Sequence, residues 1–227
     1  LMQAALSESS ADVVHAQWCY EFAHAAKASG LPLVVTLRDA PWSVLKHFRS
    51  GYRLFRLIYS YFVLSGVRHL TTVSVYIAAS FRSFYRKKDI VVVPNALDAR
   101  IVSLQHKVRS AETPLYLLST SAWGRLKNCK ALFRVFEQVR QVYPDAVLSV
   151  IGSGLEEGGA GELWAQENGL ATGVQFLGRV PHAEILTMLE ESADLFVYTS
   201  LQESFCMAVL EAMAKGVPSV VFPDSGA

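Results

Sequence analysis

Two carboxylates and two cations stand where an α/β protein could bind an anionic, hydroxyl-rich ligand. Glu203 and Glu211 lie in the largely apolar segment LQESFCMAVLEAMAKG, which spans residues 201–216. Arg125 and Lys127 lie between a strand-like run and a helix-like run in LLSTSAWGRLKNCKALF. Carboxylates accept hydrogen bonds from hydroxyl groups, and cations at a strand-to-helix turn neutralise phosphate charge. The pattern predicts a site for a ligand that carries hydroxyls and phosphate.

The elements around the two glutamates set their separation. We expect a strand over LFVYTSL, a turn at Glu203, an N-cap at Ser204 and a helix over 205–214 that Gly216 ends. A rise of ~1.5 Å per residue then places the carboxylates of Glu203 and Glu211 on the order of 12 Å apart. A glycosidase pair needs roughly 5 to 9.5 Å. We therefore predict that the two glutamates contact opposite ends of one long ligand, whose anionic group lies at the helix start. The alternative is that both are ordinary solvated glutamates.

Alternating strands and helices must position these groups. Short apolar and β-branched runs alternate with stretches of helical period, which predicts parallel sheets in a doubly wound α/β fold. The predicted strands are 12–16, 33–37, 70–75, 90–94, 115–119, 146–151, 174–177, 195–198 and 219–222. Pro181 fits the first position of a helix. The polar segment 99–113 separates two similar series, so we predict domains over 1–102 and 103–227 and a ligand cleft between their sheets.

The composition excludes several classes of protein. The 227 residues are 52% hydrophobic, which is enough for a packed core. The net charge of +1 gives no general attraction to nucleic acid. Apolar runs reach about eight residues, well short of a membrane span. Cys19, Cys129 and Cys206 lack metal-ligand spacing, and their odd number favours a reducing, cytoplasmic setting. The chain opens in mid-pattern, so we expect a fragment of a longer protein.

The segment ESFCMAVLEAMAKGVPSVV resembles the E-x7-E segment of retaining glycosyltransferases of family 4, which have the GT-B fold. Seven further segments precede it in the order that this family shows, and one overlaps its start: DVVHAQW, VVTLRDAPW, TVSVY, VVVPNALD, GRLKN, LSVIGSG, VQFLGRV and SADLFVYTSLQESF. The resemblance covers nearly the whole chain. It implies two Rossmann-like domains, both incomplete here, that bind a nucleotide-sugar donor and need neither a cofactor nor a metal.

The resemblance also implies roles for individual residues. Glu203 would contact the hydroxyls of the donor sugar, Glu211 would bind the ribose, and Arg125 and Lys127 would stabilise the departing diphosphate. The remaining donor contacts would be Ser204, Phe205, Cys206 and Met207 at the helix start, Gly152 and Gly154 near the phosphates, and Arg179 and Val180 near the nucleobase. Arg38 and Asp39 would face the sugar and the acceptor.

Four positions depart from the family pattern. Cys206 stands where the family usually has glycine, and Ala122 stands where it has an arginine, for which Arg125 is a shifted substitute. Arg38 and Gln17 each replace a frequent histidine. Because of these departures, a non-catalytic nucleotide-sugar-binding module remains an alternative.

A basic, aromatic segment points to a further partner. No Asp or Glu occurs from Pro41 to Lys88, whereas nine cations do: Lys46, Arg49, Arg53, Arg56, Arg68, Arg82, Arg86, Lys87 and Lys88. They are interleaved with Phe48, Tyr52, Phe55, Tyr59 and Phe62. We expect Val44, Leu45, Phe48, Phe55 and Phe62 to face the core, and the cations to attract anionic lipid or a lipid-diphosphate acceptor. A core helix with a solvated basic side explains the pattern equally well, and nucleic acid is not expected.

The sequence therefore favours a retaining, metal-independent glycosyltransferase that moves a hexosyl unit from a UDP- or GDP-sugar to a saccharide or lipid-linked acceptor. We place it in cell-surface polysaccharide synthesis, at the cytoplasmic face of the membrane. No Asp-x-Asp pair for a metal occurs, and the GSG at 152–154 lacks the third glycine of a dinucleotide fingerprint. A sugar-nucleotide epimerase of the same architecture remains a second alternative.

Overall fold

A computed structural model describes residues 10–86, 89–102 and 113–222. They form two compact units, of which the first ends at Asn95 and the second begins at Ala96. In both units parallel strands alternate with helices, which confirms the predicted α/β class.

Some predicted features fall outside the described residues. Residues 103–112 are among them, so the predicted domain boundary between 102 and 103 stays a prediction. Lys87 and Lys88 of the basic segment also lie outside the described ranges, as do residues 223–227.

The first unit contains a parallel sheet with strands in the order β1-β2-β3-β4. The strands are β1 (Val14–Gln17), β2 (Leu33–Leu37), β3 (His69–Thr72) and β4 (Ile90–Val92), and the helices are α1 (Glu21–Ala28), α2 (Pro41–His47), α3 (Gly51–Leu64) and α4 (Val75–Tyr85). Val35 and Leu37 of β2 are fully buried, as are Ile77 and Phe81 of α4. The near-continuous apolar run LVVTL is therefore explained by a strand that is covered on both faces.

One predicted strand ends earlier than expected because a helix cap interrupts it. The strand predicted over 70–75 is β3, which ends at Thr72. The Ser74 hydroxyl accepts a hydrogen bond from the Ile77 N–H at 3.2 Å and begins α4 at Val75. The β-branched Val75 reads as strand by composition, but a serine cap satisfies a free N–H of the first helical turn.

The prediction that five apolar residues of the basic segment face the core is wrong for its three phenylalanines. Phe48, Phe55 and Phe62 are 39%, 59% and 63% exposed, whereas Val44 and Leu45 are half-buried. The buried positions of α3 are Leu57, Ser60, Val63 and Leu64. The helix therefore turns much of its aromatic surface outward.

Ser60 is a polar residue on the buried face of α3. Its hydroxyl donates to the Leu57 carbonyl and hydrogen-bonds the Tyr85 hydroxyl, each at 2.6 Å. Tyr85 in turn stacks on Phe81, with ring centroids 4.6 Å apart. The buried hydroxyl of Ser60 is therefore fully hydrogen-bonded, which removes the cost of placing a polar residue on the buried face of α3.

The second unit contains a parallel sheet with strands in the order β7-β6-β5-β8-β9. The strands are β5 (Tyr116–Thr120), β6 (Val147–Ile151), β7 (Val174–Gly178), β8 (Leu195–Tyr198) and β9 (Ser219–Val221), and the helices are α5 (Cys129–Val142), α6 (Ala160–Glu167), α7 (His182–Glu191) and α8 (Met207–Ala214). The chain winds outward from β5 to β7 and then crosses to β8 on the other side of β5. The loops after β5 and β8 therefore leave adjacent strands at a topological switch point, where such sheets bind ligands.

Pro181 takes a different position from the one predicted. It is the N-cap residue of α7, with φ −55° and ψ 140°, and His182 is the first helical residue. The fixed φ of proline suits both positions, so the sequence alone could not decide between them.

Candidate functional site

Lys127, Tyr198 and Glu203 form a hydrogen-bonded triangle at the switch point of the second unit. The Lys127 ammonium donates to Glu203 Oε1 at 2.5 Å and to the Tyr198 hydroxyl at 2.8 Å. The Tyr198 hydroxyl donates to the same Glu203 oxygen at 2.9 Å. Lys127 and Glu203 are both partly buried, and the structure brings these two predicted catalytic residues together.

Tyr198 is a member of this group that sequence reasoning missed. Its only signal is its place as the last residue of β8, just before the turn that carries Glu203. Burial raises the pKa of the Tyr198 hydroxyl well above its usual range, and the neighbouring Glu203 carboxylate raises that pKa further. Tyr198 therefore stays a neutral hydrogen-bond donor to Glu203.

Hydrogen bonds between the two loops hold the triangle in place. The Thr199 hydroxyl donates to the Lys127 carbonyl at 3.2 Å, and the Ser200 hydroxyl donates to the Leu126 carbonyl at 3.3 Å. The Leu201 N–H donates to the same Leu126 carbonyl at 2.8 Å. The backbone that carries the lysine is thus tied to the backbone that leads to the glutamate, so the pair is preorganised without a ligand.

The start of α8 differs from the prediction. The predicted N-cap was Ser204, with a helix from Phe205, but α8 begins at Met207 and Cys206 is its N-cap residue. Cys206 has φ 57° and ψ 78°, a left-handed conformation that delays the helix. The free N–H groups at the start of the helix therefore include those of Met207 and Ala208, and Phe205 lies outside the helix.

Glu211 lies in α8 beside the first residue of α7. Its Oε1 is 3.0 Å from His182 Nε2, and its side chain is 16% exposed. Glu211 is therefore not the ordinary exposed helix residue of the alternative interpretation. His182 is a second neighbour that sequence reasoning missed, because it comes from a different helix.

Arg125 does not join the triangle. It is exposed and lines a cavity of about 430 Å³ together with Trp123, Gly124, Asn128 and Lys130. Its predicted contact with the departing diphosphate stays a prediction, and the central cation that the structure supports is Lys127.

Gly152 and Gly154 bring two backbones into close contact. Gly152 has φ 141°, and a Cβ atom there would lie 1.6 Å from the Ser121 carbonyl oxygen. A Cβ at Gly154 would lie 2.7 Å from the Cβ of Trp123. Packing against the loop after β5 therefore requires both glycines, whether or not they also approach phosphate.

The two residues predicted near the nucleobase have different surroundings. The Arg179 side chain is exposed, and its Nη2 lies 3.5 Å from the Ser153 hydroxyl. Val180 is partly buried and packs against the core that includes Tyr198 and Cys206. Their contact with a base stays a prediction.

Comparison with known proteins places the chain in a family. Residues 103–227 match the model of glycosyl transferases group 1, and residues 1–100 match that of glycosyltransferase family 4. The chain belongs to the glycosyl transferases group 1 family. This confirms the resemblance that the sequence motifs indicated.

Named relatives and solved structures agree with this membership. The chain is 25% identical over 199 residues to an uncharacterised glycosyltransferase of Haemophilus influenzae, covering 86% of this chain and 53% of that protein. It is 34% identical over 102 residues to the D-inositol 3-phosphate glycosyltransferase of Corynebacterium urealyticum, covering 42% of this chain and 24% of that protein. The chain thus spans about half the length, or less, of these curated relatives.

The solved structures confirm the GT-B fold. Sucrose-phosphate synthase from Thermosynechococcus elongatus superposes with a TM-score of 0.75 at 18% identity, over 96% of this chain and 58% of that one. The Anabaena protein Alr3699/HepE, in complex with UDP-glucose, superposes with a TM-score of 0.71 at 21% identity, over 99% of this chain and 62% of that one. Both likenesses extend over nearly all of this glycosyltransferase chain.

The left-handed backbone at Cys206 explains why this family usually has glycine there, because glycine adopts positive φ without a steric penalty. Burial raises the pKa of the Cys206 thiol, so the side chain at the helix start is neutral. It adds no negative charge where a phosphate would bind.

Substitutions at Cys206 should follow this backbone requirement. We expect Cys206→Val to lower the free energy of unfolding by about 1 to 2 kcal/mol more than Cys206→Gly, because a β-branched side chain is strained at positive φ. Urea denaturation of both variants measures the difference. Equal stability of the two variants would contradict the left-handed conformation.

Two of the departures from the family pattern contact each other in the first unit. The Arg38 guanidinium donates from Nε to Gln17 Oε1 at 2.7 Å and from Nη1 to Asn95 Oδ1 at 2.8 Å. The side-chain amide of Gln17 also lies 3.2 Å from His15 Nε2, which contacts the Thr36 hydroxyl at 2.6 Å. Gln17 and Arg38 thus replace two histidines as one hydrogen-bonded unit, and His15 has structural partners.

The carboxyl group of Asp39 is in an environment that disfavours its charged form. Its Oδ2 accepts a hydrogen bond from the Tyr20 hydroxyl at 3.2 Å, whereas its buried Oδ1 has no hydrogen-bond partner among the described residues. Burial raises the pKa of the Asp39 carboxyl, although Tyr20 and Arg56 act in the opposite direction. A half-satisfied, buried carboxylate costs stability and is typical of functional sites.

Because the pKa of Asp39 is raised, we expect the stability of the protein to depend on pH through this residue. The folded state binds the Asp39 proton more tightly than the unfolded state, so this carboxyl stabilises the fold at low pH and loses that contribution as the pH rises through its folded-state pKa. We expect Asp39→Asn to be more stable than the wild type at about pH 8, with a gap of about 1 kcal/mol or more that shrinks towards pH 4. Thermal unfolding across this range measures the gap.

The exposed Asp145 offers a matched control for this measurement. Asp145→Asn should change stability little at any pH, because an exposed carboxylate keeps its hydration in both states. A gap for Asp39→Asn that does not depend on pH would contradict the role given to burial.

The described residues 10–86, 89–102 and 113–222 contain no group of three or more His, Cys, Asp and Glu side chains that could hold a metal ion. Metal independence nevertheless stays a prediction, because a metal can also be bound by phosphate and only one or two carboxylates.

Proposed function

We propose that the protein is a retaining, metal-independent glycosyltransferase. It transfers a hexosyl unit from a UDP- or GDP-sugar to a hydroxyl of a saccharide or lipid-linked acceptor, at the cytoplasmic face of the membrane in cell-surface polysaccharide synthesis. The observation that carries this proposal is the preorganised Lys127–Tyr198–Glu203 triangle at the switch point of a nucleotide-binding type of sheet. The UDP-glucose that the Anabaena neighbour binds supports a nucleotide-sugar donor.

The donor diphosphate is the ligand that Lys127 stabilises in this proposal. As the bond between the anomeric carbon and the phosphate oxygen breaks, negative charge grows on the leaving diphosphate. The Lys127 ammonium and the N–H groups of Met207 and Ala208 at the start of α8 stabilise that charge. Arg125, in the exposed part of the same loop, supplies a second cation once the donor is bound.

The carboxylates hold the two ends of the donor. Glu203 accepts hydrogen bonds from sugar hydroxyls, while Tyr198 and Lys127 keep it oriented. Glu211 accepts from the ribose hydroxyls, and His182 fixes its rotamer through Oε1. Since no residue is assigned as a nucleophile, the acceptor attacks the face that the diphosphate leaves, and a phosphate oxygen takes the acceptor proton.

In the first unit we assign Arg38 and Asp39 to the sugar and the acceptor. Arg38 is held by Gln17 and Asn95, and within the described part of the chain no group donates a hydrogen bond to the buried Oδ1 of Asp39.

A non-catalytic nucleotide-sugar-binding module is the second candidate function. The exposed position of Arg125 and the presence of Ala122 in place of an arginine favour it, because both leave less positive charge from the protein beside the diphosphate. A sugar-nucleotide epimerase would bind the same donor but would need no acceptor.

A donor panel separates these functions. The complete protein that contains this chain is incubated with radiolabelled UDP- and GDP-sugars, with and without a membrane lipid extract. Transfer of label to an acceptor, with the anomeric configuration of the donor retained, supports the proposal. Saturable binding without transfer from any donor indicates the binding module, and epimerisation without an acceptor indicates the epimerase.

A further inference from the structure

Helix α3 exposes a stripe of large apolar side chains. Phe55, Ile58 and Phe62 are 59%, 61% and 63% exposed, and Leu54 and Tyr61 beside them are also exposed. Spacings of three, four and seven residues place Phe55, Ile58 and Phe62 along one side of the helix. Exposed apolar residues are ordinary when scattered, but a contiguous stripe on one helix marks an interaction surface.

Cations border this stripe at the end where α2 joins α3. Lys46 and Arg49 line a cavity of about 700 Å³, together with the apolar residues Trp42, Leu45 and Leu54. The Arg53 guanidinium lies over the Tyr52 ring, 5.6 Å from its centroid, in the first turn of α3. The surface therefore combines an apolar centre with a basic rim.

Acidic residues are absent from the segment that builds this surface. Residues 41–88 contain no Asp or Glu. The carboxylate that α1 brings nearest to α3 is Glu21, which pairs with Arg56 at 3.2 Å. Arg56 also stacks on the Tyr20 ring at 3.7 Å, so it is used within the unit. Lys46 and Arg49 are exposed, and Arg53, which also acts on the buried carboxyl of Asp39, is partly exposed, so these three cations can contact an external anion.

We propose that the α2–α3 surface, consisting of Lys46, Arg49, Arg53, Phe55, Ile58 and Phe62, docks on an anionic phospholipid bilayer. The three apolar side chains enter the boundary between head groups and acyl chains, and the three cations contact head-group phosphates. Charge complementarity selects this partner, since the basic rim would be left unpaired against a neutral or basic surface.

The proposed contact is peripheral, and it goes beyond the proposed transfer reaction. No helix in the described parts of the chain is both long and apolar enough to cross a bilayer. Neither the donor site of the second unit nor its chemistry enters the argument. Docking and catalysis can therefore fail independently in experiments.

Vesicle sedimentation tests the proposal directly. The full chain, without any donor, is mixed with vesicles of phosphatidylcholine containing about 30% phosphatidylglycerol, or of phosphatidylcholine alone. We expect binding to the anionic vesicles at least about tenfold tighter than to the neutral ones, and a decrease at about 0.5 M NaCl.

Two sets of variants assign the binding to this surface. Phe55→Ser, Ile58→Ser and Phe62→Ser in one protein should weaken binding by at least about tenfold, because three side chains lose their burial in lipid. Lys46→Gln with Arg49→Gln should remove most of the preference for anionic lipid. The exposed apolar residues Val135 and Val142 of α5 provide the control, and their change to serine should have no effect on binding.

Three results would overturn the proposal. The first is equal binding to neutral and anionic vesicles, and the second is unchanged binding by both sets of variants. The third is a wild type that self-associates in gel filtration and ignores vesicles, because the stripe would then contact a second copy of the chain. If the triple serine variant fails to fold, the Lys46 and Arg49 variant gives the decision alone, since both side chains are at the surface.

Discussion

Changing Lys127 to methionine is expected to lower turnover by roughly 100- to 1000-fold, because it removes the cation on which the proposed catalysis depends. The Lys127 ammonium is fixed by two hydrogen bonds, to Glu203 and Tyr198, before any donor binds. The ammonium group therefore needs little rearrangement when negative charge develops on the leaving diphosphate. Methionine keeps the length of the side chain and its apolar stem, so the loss reports on charge. Steady-state kinetics of sugar transfer measures it.

Lys130 gives the matched control for this prediction. It lies in the first turn of α5, where its ammonium is over the Trp164 ring, 4.8 Å from the centroid. Lys130→Met should leave turnover within about twofold of the wild type, because surface cations of this kind contribute little. Equal losses for Lys127→Met and Lys130→Met would show that the effect is general electrostatics and would remove Lys127 from the mechanism.

Changing Glu203 to glutamine is expected to lower turnover by roughly 10- to 100-fold with little change in nucleotide affinity. Glutamine has nearly the same shape, but it carries no charge to orient Lys127 and is a weaker acceptor for sugar hydroxyls. The free energy of unfolding should also fall by about 1 to 2 kcal/mol, since a partly buried lysine loses a charged partner. Kinetics with varied donor, together with urea denaturation, measures both effects.

The exposed Glu167 at the end of α6 serves as the control for Glu203. Glu167→Gln should change neither turnover nor stability appreciably. A Glu203→Gln enzyme that loses nucleotide affinity and keeps its turnover would contradict the assignment of this carboxylate to the sugar.

The sequence was sufficient for the fold class and for the placement of Lys127 and Glu203 in loops at the carboxyl ends of strands, but not for the direct contact between the two side chains. Both follow from alternating periodicity and from the rule that functional loops leave the carboxyl ends of strands at a switch point. The contact with Tyr198 could not be predicted in the same way, because a tyrosine that ends a buried strand reads as core. Its role depends on the hydroxyl of that one side chain.

Backbone conformation set a second limit on prediction. The left-handed φ of Cys206 moves the start of α8 from Phe205 to Met207, and no rule of composition assigns that conformation to a cysteine. The resemblance to the family gave an indirect signal, since the glycine that it implies at this position marks a backbone that needs positive φ.

The orientation of α3 could not be derived from residue types either. Phe55 and Phe62 are the largest apolar residues of the helix, and burial of such residues is the usual expectation. The small Ser60 occupies a buried position instead, and its hydroxyl has a hydrogen-bond partner in Tyr85. Periodicity gave the helix correctly, but the choice of its buried face depended on tertiary contacts.

The central claim is that the second unit holds a nucleotide sugar between Lys127 and Glu211. Nucleotide binding tests this claim most directly. Titration calorimetry with UDP and with GDP is performed on the wild type, on Lys127→Met, on Glu211→Gln and on the control Glu167→Gln. We predict saturable binding of one of the two nucleotides, weakened about tenfold or more by Lys127→Met and by Glu211→Gln, and unchanged by the control. Binding of neither nucleotide, or binding that both site variants leave unchanged, would contradict this account.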